Sequence, residues 1–383
     1  MKKAEQHLDK IRGSLIGGAA GDALGYSVEF DSESRIFAKH GPGGIRAYEL
    51  DPVSGKALIS DDTQMTLFTA NGILFADTRT ALRGIGGQPS MYMLHAYKDW
   101  LRTQEMSFAQ AQKDKEQHRG ISWLSDVPEL YHRRAPGNTC LSALEAREDG
   151  TDIDYIHLPL NRSKGCGGVM RVAPMGLRFY PFADINTIDK EGAELAAITH
   201  GHSLGYLPAA VLTHIVHRCV YSVEPMTLTE IVSEARDAVA EIFAADPHIG
   251  ELTDLIDLAI TLSQNKDSDL DNIHRLGEGW VGDEALAIAI FCALRHQDDF
   301  SAGIIAAVNH KGDSDSTGAI TGNILGARMG FNAIDEGWKK DLELYDVILE
   351  LADDLCQGCR IDGYSSQDDP DWVRKYCNAQ WKA

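Results

Sequence analysis

His310-Lys311-Gly312-Asp313-Ser314-Asp315-Ser316-Thr317-Gly318-Ala319-Ile320-Thr321-Gly322-Asn323-Ile324-Leu325-Gly326-Ala327-Arg328-Met329-Gly330 opens with two carboxylates and three hydroxyls and continues as an apolar run of helical character. The glycines at 318, 322, 326 and 330 recur every four residues, so on a helix they form one nearly continuous stripe. Glycine inside a helix costs roughly 1 kcal/mol relative to alanine. A run of them implies that another backbone comes very close. We read a tightly packed, buried helix whose N-terminus presents Asp313, Asp315 and Ser316. Those residues fit two roles: a Ser/Asp cap with acidic groups favoured by the helix dipole, or a set of ligands.

The pattern recurs about 250 positions earlier. Ser60-Asp61-Asp62-Thr63 precedes Gln64-Met65-Thr66-Leu67-Phe68-Thr69-Ala70, another apolar helical run. If the two acidic helix starts converge, four carboxylates meet. Like charges so close raise each other's pKa or need a cation. Oxygen donors favour magnesium, manganese or calcium over zinc. Near the N-terminus, Gly13-Ser14-Leu15-Ile16-Gly17-Gly18-Ala19-Ala20-Gly21-Asp22-Ala23-Leu24-Gly25 is rich in small residues and could be the close partner of the glycine stripe. Asp22 is then a charge in a tightly packed region that needs a partner, and Glu29 follows it; a surface-loop glutamate is the plainer reading of Glu29.

The formal net charge is −21 over 383 residues. This balance disfavours nonspecific binding to nucleic acid or an anionic membrane. Met1-Lys2-Lys3 leads into a polar run rather than the apolar core of a secretory leader. The longest apolar run, Leu286 to Leu294, is far short of a membrane span. The seven cysteines are scattered, which suggests a reducing, cytoplasmic setting. Cys356-Gln357-Gly358-Cys359 is a lone CxxC with no second pair.

Helical spacing begins at Glu5. The expected helices are 60–77, 91–104, 141–148, 207–221, 227–245, 251–264, 283–296 and 340–355, with 283–296 central. Residues 31–59, 79–90 and 265–279 read as connections, 105–135 as a charged insertion or surface arm, and 361–383 as a polar tail. Asn138 or Thr139 is the cap candidate before Leu141. Gly165-Cys166-Gly167-Gly168 lets backbone come close to a ligand, and a phosphate nest with Arg171 nearby or a flexible turn both fit. It is neither a P-loop nor a dinucleotide fingerprint. Of His200, His202, His214 and His217, a single histidine donating to a phosphate is a better reading than a zinc cluster, because no Cys or acidic ligand accompanies them at zinc spacing. Almost nothing alternates with a period of two, so the fold class is all-α. Two acidic motifs near opposite ends of the chain, if they share a site, imply one domain over 1–383.

Arg12 to Phe30, Ser60 to Thr63, Gly165 to Leu177, Ile198-Thr199-His200 and Gly312 to Gly330 together resemble the ADP-ribosylglycohydrolase family. That family includes the dinitrogenase-reductase-activating glycohydrolase and the ADP-ribosyl-acceptor hydrolases. The match spans nearly the whole chain, in order. The resemblance implies a compact many-helix domain with two Mg2+ or Mn2+ ions that removes ADP-ribose from a modified side chain. Carried over by motif, the metal ligands are Ser60, Asp61, Asp62, Asp313, Asp315 and Ser316. Glu29 or a metal-bound carboxylate such as Asp61, with Asp62, is implied as catalytic. Gly165, Cys166, Gly167, Gly168 and His200 are implied to hold the diphosphate. Serine stands at 60 and 316 where relatives often carry threonine, and the oxygen is kept. Gly-Cys-Gly-Gly replaces the Asn-Gly of some relatives, which bears on the acceptor.

Arginine on a protein is the first acceptor by family frequency; serine-linked ADP-ribose, O-acetyl-ADP-ribose and modified nucleic acid or nucleotides are the alternatives. Cleavage at ribose C1″ passes through an oxocarbenium-like transition state and needs a protonated leaving group and an attacking water. The expected partner is an ADP-ribosylated protein. An ADP-ribosylating toxin is a second candidate partner, with this chain as its immunity protein and 105–135 as a candidate surface. No nucleic acid and no membrane are expected, and the default state is a monomer. A non-catalytic ADP-ribose-binding protein is a further alternative. Asp313-Ser314-Asp315-Ser316-Thr317 also has the spacing of a haloacid-dehalogenase-like DxDxT nucleophile, but that motif ends a buried strand, and the chain reads as lacking strands.

Overall fold

The computed structural model describes residues 3–84, 89–115, 117–118, 120–148, 154–179, 184–361 and 369–377. Among these the chain is all-α. The first helices are α1 (Lys3–Tyr26), α2 (Glu33–His40), α3 (Asp61–Arg83), α4 (Pro89–Glu105), α5 (Phe108–Lys113) and α6 (Asn138–Ala146). The middle of the chain holds α7 (Ala173–Leu177), α8 (Ile185–Ala197), α9 (Ser203–Tyr221), α10 (Leu228–Ile242) and α11 (Ile249–Ser263). The last are α12 (Asp269–Leu276), α13 (Gly282–Arg295), α14 (Phe300–Val308), α15 (Ser314–Met329), α16 (Tyr345–Gln357) and α17 (Pro370–Tyr376). Extended pairing among the described residues is limited to the isolated bridges Ala57–Leu342 and Gly165–Val281. Among the described residues no helix is long and apolar enough to cross a membrane.

The glycine stripe has the partner its spacing demands. Gly13, Gly17 and Gly21 of α1 face Gly326, Gly322 and Gly318 of α15, and Gly25 faces Ser314. The helices therefore run antiparallel, and a Cβ at any of these seven glycines would fall within 3.0 Å of the facing backbone. Two buried hydrogen bonds lock the register. Asn323 Nδ2 donates to the Ser14 carbonyl at 2.9 Å, and Ser14 Oγ donates to the Asn323 carbonyl at 3.1 Å. Backbone contact on this scale offsets the poor helix propensity of glycine by dispersion between main chains. α13 is central as expected, buried continuously from Ala285 to Leu294.

Several connections are more ordered than their composition suggests. Residues 31–59 contain α2, which buries only Ile36 and so shows no apolar period. Residues 265–279 contain α12, where Ser268 Oγ accepts from the Asp271 N–H at 3.1 Å and only Asn272, Ile273 and Leu276 are buried. α3 runs on to Arg83, past the expected end at 77, and stops where Gly84 adopts φ 66°. α16 begins at Tyr345 rather than 340, because Leu344 sits at φ 58° and a 3-10 turn occupies Glu336–Trp338. The described residues of 105–135 include α5, closed by a Ser107–Gln110 capping box, and bury Ile121, Leu124 and Leu130. The segment 361–383 lies largely outside the described residues, including Trp381. Its α17 docks on α3, with Trp372 Nε1 donating to Thr78 Oγ1 at 2.9 Å.

A matched pair of substitutions tests the α1–α15 contact. Gly322→Ala drives a Cβ into the Gly17 carbonyl and should cost roughly 3 kcal/mol in urea unfolding. Gly250→Ala lies in α11 with nothing within 4 Å of the added carbon. It should stabilise by about 0.4–1 kcal/mol.

Candidate active site

α1 carries the carboxylate that positions the first acidic motif. Asp22 is buried and accepts from the Ser60 N–H at 3.0 and 3.1 Å, the Thr63 N–H at 3.1 Å and the Thr63 hydroxyl at 2.5 Å. It thus satisfies donors that the start of α3 would otherwise leave orphaned. Ser60 is the N-cap, and its Oγ accepts from the Asp62 N–H at 3.1 Å. The Asp61 N–H donates to the Arg134 carbonyl at 3.0 Å, and the Asp61 carboxylate accepts from the Gly137 N–H at 3.4 Å. Gly137, rather than Asn138 or Thr139, is the N-cap of α6. The correction has a physical cause: this turn's backbone is engaged by Asp61.

The second motif arrives on α15. Asp313 is its N-cap, and Asp313 Oδ1 accepts from the Ser316 N–H at 3.3 Å. Because Gly25 lies against Ser314, the C-terminal end of α1 delivers Glu29 to the same place. Carboxylate oxygens of Glu29, Asp313 and Asp315 lie within 4.8 Å of one another. Asp62 Oδ2 and Glu29 Oε2 are buried with no hydrogen-bond partner, and their residues are only 3 % and 8 % exposed. A cavity of about 320 Å³ opens above them, and Asp61, Asp62, Asp313, Asp315 and Ser316 join Glu29 in its wall. Ser60 does not line that wall; it lies fully buried beneath it.

Burial is the main reason this cluster resists ionisation. It pushes Asp22 up to about 6 and Glu29 up to about 9, the latter raised further by Asp313 and Asp61. Asp61, Asp62 and Asp315 are held well above the usual carboxylate range, again by burial first, with Asp22 and Asp313 raising all three further. A set of oxygen donors with two unpartnered atoms fits a hard divalent cation, which would supply the missing charge. Cys166 lies against it: its thiol donates to Asp313 Oδ2 at 2.8 Å and sits 3.6 Å from Ser316 Oγ. Burial, followed by Asp313, raises that thiol well above its ordinary value, so it stays a donor.

The opposite wall is the glycine turn. Gly165, Cys166 and Gly167 line the cavity with His200. Gly168 faces away, packed on the Gly205 carbonyl and Ala196. Arg171 does not reach a ligand. It is fully buried, and its guanidinium donates to the Gly167 carbonyl at 2.8 Å, the Leu195 carbonyl at 3.1 Å and Thr199 Oγ1 at 2.7 Å, over the Tyr97 ring. It holds the turn and the His200 support together. Thr199 Oγ1 accepts from Arg171, and its own proton has two acceptors, His200 Nδ1 at 2.9 Å and the Ala196 carbonyl at 3.5 Å. We assign it to the shorter contact, which leaves the ring proton on Nε2, on the side of Gly165 and Gly167. Burial and Arg171 lower His200 to about 3, so it donates as a neutral imidazole.

Sequence reasoning did not single out the wall formed by Phe30, Pro136 to Cys140, Met170 and Trp280. Phe30 adjoins Glu29, and Gly277-Glu278-Gly279-Trp280 is a glycine turn at a helix start, a signal hidden inside an apparent polar connection.

Two measurements check this account. Arg171→Met should lower unfolding stability by about 3 kcal/mol without any ligand, because it strands buried carbonyls. The raised carboxylates mean that the folded, cation-free chain binds more protons than the unfolded chain between about pH 4 and pH 9. Its Tm should therefore fall as pH rises across that window. Added Mg2+ should raise Tm more at about pH 8 than at about pH 5, because binding must displace those protons.

Comparison with known proteins agrees with the geometry. The family model described as ADP-ribosylglycohydrolase matches residues 3–364. YegU of Escherichia coli strain K12 is 25% identical over 348 residues, covering 88% of this chain and 92% of that protein. ADP-ribosylhydrolase ARH1 of Dictyostelium discoideum is 23% identical over 395 residues, 91% of this chain and 93% of its own length. ADP-ribosylhydrolase ARH3 of Danio rerio is 28% identical over 370 residues, 90% and 89% respectively. A solved structure titled ADP-ribosylglycohydrolase-related protein complex shares the fold, with a TM-score of 0.57 at 23% identity over 92% of this chain and 99% of that one. With the motifs, the helical architecture and a family match over nearly its whole length, the chain belongs to the ADP-ribosylglycohydrolase family, a family of metal-dependent ADP-ribosyl hydrolases.

Proposed function

We propose that this chain hydrolyses the bond between ribose C1″ of ADP-ribose and a protein acceptor, with arginine as the acceptor. The observation that carries the reading is the pair of buried, unpartnered carboxylate oxygens, Asp62 Oδ2 and Glu29 Oε2, on two residues lining the cavity that His200 and the glycine turn also line. Ser60, Asp61, Asp62, Asp313, Asp315 and Ser316 would hold two Mg2+ or Mn2+ ions. When bound, these would polarise a water and orient the ribose hydroxyls.

The chain's own groups supply the rest. His200 Nε2–H and the Gly167 N–H bind the diphosphate, a neutral donor set suited to an anion in a buried site; the Gly165 and Cys166 N–H groups are held by Ser163 Oγ and the Trp280 carbonyl and shape the turn. Arg171 keeps that turn rigid, so the remote contact fixes where C1″ lies. Glu29 is the proton donor: burial, the largest cause of its raised pKa, persists when a cation relieves the repulsion from Asp313 and Asp61. Its Oε2 gives a proton to the departing guanidine nitrogen as the C1″–N bond breaks. Asp61 and Asp62 hold the attacking water on the other side; its oxygen bonds to C1″ and the proton it sheds passes to the Asp61 carboxylate. The Cys166 thiol keeps Asp313 oriented through their hydrogen bond. Both acidic motifs, from opposite ends of the chain, contribute to one site, which supports treating 1–383 as a single such domain with 105–135 as an arm on it.

The test is release of free ADP-ribose from ADP-ribosyl-arginine protein, with Mg2+ and then with excess chelator. Release that chelator abolishes, and that Asp62→Ala or Asp315→Ala lowers by at least about a hundredfold, is the expected outcome. Full activity with the metal removed would overturn the ligand assignment. Release only from serine-linked or acetylated substrates would overturn the acceptor.

A further inference from the structure

Two large aromatic side chains stand in solvent at the mouth of the cavity. Phe30 is 72 % exposed and Trp280 41 %, and both line the cavity. Their rings are nearly parallel, 24° apart, with centroids at 6.3 Å. An exposed apolar pair of this size beside a polar site is a mark of a binding surface. The backbone under each ring is pinned. The Phe30 turn closes through Val28 N–H to the Gly25 carbonyl and Asp31 N–H to the Val28 carbonyl, each at 2.9 Å. The Trp280 carbonyl accepts from the Cys166 N–H at 3.2 Å, and Glu284 Oε2 accepts from the N–H groups of Glu278 and Gly279 at 3.0 and 3.2 Å. The rings are thus preorganised, which reduces the entropy lost when a ligand lands on them.

We infer that Phe30 and Trp280 form the acceptor platform of this enzyme, receiving the flat, cationic guanidinium of an ADP-ribosylated arginine. The position supports this choice of occupant. Phe30 directly follows Glu29, the group assigned to protonate the leaving nitrogen, so its ring flanks the leaving-group side of the site. Glu29, Asp61, Asp62, Asp313 and Asp315 line the same cavity as the rings, in a chain of net charge −21, which favours a cation. A guanidinium is planar and weakly hydrated, so it lies flat on an aromatic face and keeps its N–H groups for neighbouring carboxylates. A serine O-glycoside or an acetyl ester offers neither the plane nor the charge.

The inference rests on the reading of the site as an ADP-ribosyl hydrolase, and the test separates the two. Binding is measured by calorimetry on the full chain with Mg2+, in a Glu29→Gln background that blocks turnover. The probes are ADP-ribose, an ADP-ribosyl-arginine peptide and an ADP-ribosyl-serine peptide. Phe30→Ala and Trp280→Ala should weaken the arginine-linked peptide by about three- to thirtyfold, and change the other two ligands by less than about twofold. Trp280→Phe should restore most of the loss. An equal loss for all three ligands would place the adenine on these rings, and no loss for any would make them bystanders; either overturns the inference. Failure of ADP-ribose itself to bind with both rings intact would overturn the reading of the site and the inference with it.

Discussion

The approach of two backbones governs this molecule. α1 and α15 pack glycine to glycine, antiparallel, over four helical steps. Because no side chain separates them, the register cannot slip without a carbonyl meeting a Cα. That register sets Gly25 against Ser314, and so sets Glu29 beside Asp313 and Asp315. The chemistry at the top of the site is the end point of a packing rule that runs down its whole length.

α1 also recruits the third element. Asp22 takes the donors of Ser60 and Thr63, tying the start of α3 to the helix that already holds α15. A buried carboxylate spent on backbone N–H groups is the cheapest way to aim a helix N-terminus. Asp61 and Asp62 then face the carboxylates delivered from the other end of the chain. Each acidic motif is a helix cap in local terms and part of one carboxylate cluster in tertiary terms, so capping does not preclude a second role. The short polar side chain that satisfies an orphan N–H leaves a second oxygen, or its neighbour's carboxylate, turned outward.

The two walls of the cavity have opposite electrostatic character. One is a set of carboxylates whose ionisation burial resists; the other is a neutral imidazole and a glycine turn. Arg171 is withdrawn into the core to brace that turn instead of meeting a ligand. The division suits a substrate with an anionic diphosphate at one end and a charge-developing ribose carbon at the other.

Much of this was written in the local sequence. A stripe of glycines four apart can only mean close backbone contact, and the absence of a period of two excludes strands. Paired Ser-Asp motifs ahead of apolar runs name the oxygen donors. These are statements about period and chemical type, which travel along one segment. Three things were decided only in the folded chain. Arg171 could have faced a phosphate or the core, and the carbonyls of Gly167 and Leu195 chose the core. α2 and α12 bury too few apolar residues to show a pattern, yet they exist because the surrounding helices offer them a surface. The aromatic pair at the mouth joins residues 30 and 280, from segments that look like ordinary turns. Sequence names the groups that can do chemistry; which of them share a site depends on the distances between segments, and those are set by packing.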